Sequence, residues 1–119
     1  MLFLLTAIVG LTVATGYIHF WVGGTMLLLN AVGYFTLAAM VILSAVRYRR
    51  ALPLVLVALA GYATVTILAW IAIGPYFDVA YLAKAIEIAL IASIAVHLWI
   101  SRDELQESLR WGRSLLRRA

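Results

Sequence analysis

The chain has 119 residues, 66% of them hydrophobic and 12% charged, with a mean hydropathy of +1.08 and a formal net charge of +4. Water-soluble domains carry roughly 45–50% apolar and about 25% charged residues, so this composition excludes a soluble enzyme domain, a disordered tail and a disulfide-rich secreted scaffold. The absence of cysteine removes thiolate metal sites and cysteine nucleophiles, and leaves the redox compartment open.

Crossing a hydrocarbon core of about 30 Å takes ~20 mostly apolar residues at about 1.5 Å each. Four segments meet that length: Leu2 to Val22, Thr25 to Val46, Leu52 to Ile73 and Val79 to Ile100. Gly23-Gly24 separates the first pair, Arg47-Tyr48-Arg49-Arg50 the second, and Gly74-Pro75 with Asp78 the third. Breaks this short make successive spans antiparallel neighbours. Pro53 falls in the first turn of the third span, where a missing N–H costs least. The expected fold is therefore all-α: a membrane-embedded antiparallel four-helix bundle over residues 1–100, followed by a tail.

Taken in chain order, each span carries a polar interruption. The first has Thr12, Thr15, Gly16 and His19 on one stripe, and the second has Asn30 followed by Gly33 and Tyr34. In the third, Tyr62, Thr66 and Trp70 recur at every fourth residue. The fourth holds Lys84 and Glu87, which an i, i+3 spacing puts on one helix face within pairing distance. A Lys or Glu inside a span costs about 2.5–3.5 kcal/mol on insertion scales, so both need compensation. Lys84 has a four-carbon stem along which to snorkel, whereas the shorter Glu87 has little reach. Small residues at Gly16, Gly33 and Gly61 permit close helix approach.

The tail, residues 101–119, reads as a basic amphipathic helix. Ser101 with Glu104 fits a capping box. Leu105, Leu109, Gly112 and Leu116 form one stripe, with Arg110, Arg113, Arg117 and Arg118 mostly off it. Arg110, Trp111, Arg113, Arg117 and Arg118 are candidate membrane-surface residues on an anionic inner leaflet. A solvated helix whose arginines only enforce topology fits the same pattern.

Three arginines lie in the 47–50 turn and five follow Ile100, against none in the other two turns. That bias places both termini on the cytoplasmic side, and the aromatics Tyr17, Trp21, Tyr76, Phe77, Tyr81 at one interface and Tyr48, Trp99 at the other agree. The first span lacks a preceding basic residue and an A-x-A site, so it is expected to remain as a span. The arginines are thus a topology signal, and no nucleic-acid partner is expected.

His19 lies about three and Asn30 about five residues inside the outer ends of their spans, Lys84 and Glu87 about five and eight, and Thr66 is at nearly the depth of Glu87. These depths bring His19, Asn30, Tyr34, Thr66, Lys84 and Glu87 into one polar cluster in the outer half of the membrane. Such a cluster is mutual glue that fixes helix register, a site for a proton, ion or small polar ligand, or a contact for another subunit's helix. His97 lies at the opposite face from His19, which argues against a b-type haem held between the two; it is expected at the interface, against headgroups or the tail. No HExxH, GxSxG or Gly-rich phosphate loop occurs, so neither enzymatic chemistry nor a cofactor is expected.

The segments Gly16-Tyr17-Ile18-His19, Leu29-Asn30-Ala31-Val32-Gly33-Tyr34 and Gly61-Tyr62, with Glu87, give the chain through about Ile100 a pattern that resembles small four-span bacterial integral membrane proteins. The resemblance implies a four-helix bundle and assigns no chemistry. The functional expectation is a non-enzymatic plasma-membrane protein, accessory to a membrane assembly or binding a small ligand. Its partners would be the lipid bilayer and other membrane subunits, or further copies of itself. The alternative is a homo-oligomeric proton- or ion-coupled transporter with Glu87 as the carrier carboxylate.

Overall fold

A computed structural model of the chain describes residues 2–22, 24–73 and 78–118. The expected breaks at Gly23 and Gly74-Pro75, and the aromatics Tyr76 and Phe77, lie outside the described residues. Five helices follow one another: α1 (Leu2–Val22), α2 (Thr25–Val46), α3 (Leu52–Ile73), α4 (Asp78–Ile100) and α5 (Arg102–Arg118). The first four are long and apolar enough to cross a membrane by length and composition. Apolar runs without breakers set their extent, because only an α-helix satisfies every backbone polar group internally where water is scarce. Asp78, one residue before the expected start, joins the first turn of α4, where its charge complements the helix N-terminus.

The turns explain the boundaries. Gly24 enters α2 at φ 89°, a backbone conformation that a side chain disfavours. At the other end of α2, the Arg47 and Tyr48 amides donate to Leu43 and Ser44 carbonyls, and bonds from Ala51 to Tyr48 and Leu52 to Arg49 close the turn into α3.

Around the bundle, α1 packs on α2 and α4, and α3 packs on the same two helices. Leu5, Ile8, Tyr34, Val41, Leu52, Leu56, Leu59, Ala63, Leu90 and Ile94 fill the centre. Large apolar side chains also cover the outside of all four helices, among them Phe20, Val32, Leu43, Val65, Leu68 and Ile88. A soluble bundle would turn polar residues outward; helices that are apolar all round suit a lipid solvent. In such a solvent dispersion packing and interhelical hydrogen bonds, rather than water exclusion, hold helices together.

α5 differs from the rest in being strongly amphipathic. It leaves α4 after a single residue, Ser101, and crosses to the start of α3. There Ser108 Oγ donates to the Arg50 carbonyl, and Gly112 comes against Leu54.

Candidate functional site

Four helices converge on the Glu87 carboxylate, which is fully buried. From α4 itself, one turn away, Lys84 Nζ donates to both carboxylate oxygens at 3.1 Å. From α1, Thr15 Oγ1 donates to Oε1 at 3.1 Å, and from α3, Thr66 Oγ1 lies 3.0 Å from Oε2. From α2, the Tyr34 hydroxyl reaches Thr66 Oγ1 at 2.9 Å and so joins the carboxylate through one intermediary. Thr66 has a single proton and two acceptors in range, Glu87 Oε2 and the Ala63 carbonyl at 2.8 Å. When that proton serves the carboxylate, Tyr34, Thr66 and Glu87 form a three-member donor chain.

His19 is the second titratable group here. Its Nδ1 lies 2.7 Å from the Thr15 carbonyl, one turn back on α1. A carbonyl oxygen only accepts, so Nδ1 carries a proton and Nε2 is the atom that gains or loses one. Nε2 faces Glu87 Oε1 at 3.5 Å, and the imidazole tilts against the Tyr34 ring at a centroid distance of 5.5 Å. Thr15 therefore orients both partners, holding the imidazole with its backbone and the carboxylate with its side chain.

The expected cluster of His19, Asn30, Tyr34, Thr66, Lys84 and Glu87 is thus largely brought together, with Asn30 as the exception. Asn30 is half-buried between α2 and α3, where the Tyr62 hydroxyl lies 3.1 Å from its carbonyl and 3.2 Å from its Oδ1. Its depth agrees with the cluster, but its phase around α2 differs from that of Tyr34 by four helical steps, about 40°. Tyr62 links the two groups, its ring edge-on to Tyr34 at 4.9 Å. Gly33 makes room for it: a Cβ there would lie 2.1 Å from the Tyr62 hydroxyl oxygen. Thr15 and Tyr62 are the members that the expected cluster omits.

On the side of Glu87 toward Ser101 the interior is apolar. Ile8, Leu5, Ala38, Val41, Leu59, Leu56, Leu90 and Ile94 are buried there, and the Thr12 hydroxyl is engaged by the Ile8 carbonyl of its own helix. The next polar layer along α4 is His97, ten residues on, or about 15 Å. His97 is buried against the start of the tail: its Nδ1 lies 3.4 Å from Ser101 Oγ, and its Nε2 has no hydrogen-bond partner among the described residues. His19 and His97 thus sit in separate layers, away from the spacing of paired axial haem ligands.

The tail departs from expectation at its start. Ser101 Oγ donates backward to the His97 carbonyl at 2.7 Å, and the Ser101 amide donates to the same carbonyl. A capping box needs the serine oxygen to accept from amides of the new helix, and here the Ser101 hydroxyl and amide both serve the last turn of α4 instead. Arg110, Arg113, Arg117 and Arg118 are exposed, whereas Trp111 is half-buried. Arg102 stacks over Trp99 at 5.0 Å and donates to its carbonyl. No protein-family model, curated protein or solved structure matches the chain.

Proposed function

We propose that this chain is a non-enzymatic multi-pass membrane protein: four antiparallel spans in a bacterial plasma membrane, both termini cytoplasmic, serving as an accessory component of a membrane assembly. The Glu87 centre holds the helices in register and is the polar binding site of the outer half. One observation carries this reading: a single carboxylate draws donors from α1, α3 and α4 directly and from α2 through Thr66, above an apolar plug. A centre so placed orders a bundle, and buried Leu and Ile close it on the side toward Ser101.

The carrier reading, with Glu87 as the exchanging carboxylate of a homo-oligomeric transporter, draws on the His19 Nε2 aimed at Glu87 Oε1 across 3.5 Å. It further requires the plug of Leu and Ile to open during each cycle. Native mass spectrometry of the protein extracted at its natural abundance in mild detergent separates the two. Foreign subunits in the particle are the expected result. A clean homo-oligomer overturns the accessory role and makes Glu87→Gln in a transport assay the next step.

A further inference from the structure

The two sides of α5 are not equally accounted for by the bundle. With a residue every 100°, Leu115, Ser108, Gly112, Leu105, Leu116 and Leu109 occupy an arc of about 120°. The bundle covers its middle: Ser108 is buried and bonded to the Arg50 carbonyl, and Gly112 meets Leu54. Both edges are left open, with Leu115 44% exposed on one side and Leu109 41% and Leu116 77% exposed on the other. The apolar face of α5 is therefore wider than its footing on α3.

Arginine borders one edge directly, Arg102 and Arg113 following Leu109 around the helix. On the Leu115 side Glu104 and Trp111 come first and Arg118 lies beyond them, while Asp103, Glu107 and Arg110 occupy the far face. The open edges also continue the apolar exterior of the spans, which reaches this end of the bundle as Trp99, Ile100 and Val46, all exposed. Leucines at acyl depth flanked by guanidinium groups at phosphate depth are the arrangement an amphipathic helix takes in a membrane interface.

We propose that α5 is seated in the leaflet at this end of the bundle, straddling the start of α3. Leu109 and Leu116 on one side and Leu115 on the other enter the acyl boundary, and Arg113 and Arg118 bind the phosphates of anionic phospholipids. Charge complementarity selects the lipid: five arginines against three acidic residues on α5, with Arg47, Arg49 and Arg50 in the adjacent turn. The Ser108–Arg50 bond fixes the helix's rotation, so that the two leucine edges face lipid together.

The test is hydrogen exchange of the full chain reconstituted in phosphatidylcholine alone or mixed with phosphatidylglycerol. Amides of residues 109–117 are expected to exchange more slowly in the mixed membrane. Arg113→Gln and Arg118→Gln are each expected to remove about fivefold of that slowing, equivalent to ~1 kcal/mol per arginine at an anionic surface. Arg110→Gln, on the far face, should remove less, and Leu116→Ser should speed exchange in both membranes. Equal exchange in the two lipids overturns the proposal, as does an Arg110→Gln effect as large as that of Arg113→Gln. Protection that follows protein density in the membrane, irrespective of lipid charge, overturns it in favour of a second copy of the chain.

Discussion

Removing the positive half of the buried ion pair tests whether the Glu87 centre holds the helices together. In Lys84→Met the carboxylate loses both 3.1 Å contacts from Nζ and keeps the hydroxyls of Thr15 and Thr66. His19 Nε2, 3.5 Å away, is then the group among the described residues placed to bring a positive charge. Breaking a buried pair by deleting one partner costs about 3–5 kcal/mol, and the two remaining hydroxyls place this case at the lower end, about 3 kcal/mol. Methionine occupies most of the lysine stem's volume, so little of the loss is packing. Glu87→Gln is milder, because the lysine stem lets its ammonium move toward water. Its cost of about 1–3 kcal/mol comes from presenting an amide N–H₂ where Thr15 or Thr66 now donates.

The double variant carries no charge at either position and should cost no more than Glu87→Gln alone, a coupling of at least about 3 kcal/mol. Reversible unfolding of all four proteins in one detergent, followed by helical circular dichroism, reads the cycle directly. Single costs that simply add, or a Lys84→Met variant as stable as the parent, would refute the argument that this pair is a coupled stabilising element.

Three further outcomes follow from the same geometry. Gly33→Ala places a Cβ 2.1 Å from the Tyr62 hydroxyl oxygen and 2.6 Å from Cζ, so it should cost about 1–3 kcal/mol of thermal stability in detergent, while Gly61→Ala, with no neighbour within 4 Å, should be neutral or stabilising by up to ~1 kcal/mol. Nitrogen-15 spectra of the His19 imidazole should show Nδ1 protonated at every pH at which the protein is folded, since that atom donates to the Thr15 carbonyl; a neutral ring protonated on Nε2 alone contradicts the assignment. His97→Leu should leave stability unchanged or raise it, because it replaces a buried nitrogen that has no partner among the described residues, a deficit of about 1–3 kcal/mol, with an apolar side chain; a marked fall in thermal stability would show that Nε2 has a partner in the membrane.

The span limits were legible because each is written locally, as an apolar run stopped by glycines, arginines or a proline. The Lys84–Glu87 pair was legible for the same reason, since i, i+3 is a short-range relation. Threonine partners were not. Thr12, Thr36 and Thr64 bond to the carbonyl four residues back, while Thr15, three positions after Thr12, reaches across to Glu87. A hydroxyl in an apolar helix always has that local acceptor available, so its type and spacing do not reveal whether it serves its own helix or another. The choice depends on helix rotation, a tertiary quantity. Asn30 shows the same limit, being at the depth of the cluster yet turned toward Tyr62. The Ser101 box failed for a different reason: its spacing is local, but the His97 carbonyl at the end of α4 takes both the serine's amide and its hydroxyl.

The bundle has two polar layers, Glu87 with its donors and His97 with the α4–α5 junction, separated by about 15 Å of buried Leu, Ile, Val and Ala, together with Thr12, whose hydroxyl is taken by its own helix. A water inside that plug would lack the two to four polar partners it needs, so in this arrangement no hydrogen-bonded path joins the layers. Influence passing between them must be carried by movement of a helix. α3 is the candidate, because its Thr66 touches Glu87 and its first turn carries α5. If α3 is rigid and firmly packed, the two ends are energetically separate, and Ser108→Ala combined with Glu87→Gln should lower stability by the sum of the single effects to within about 0.3–0.5 kcal/mol. A larger deviation in that cycle would mean that seating α5 at one end of α3 alters the fit of Thr66 against the carboxylate at the other, and that the tail controls the centre.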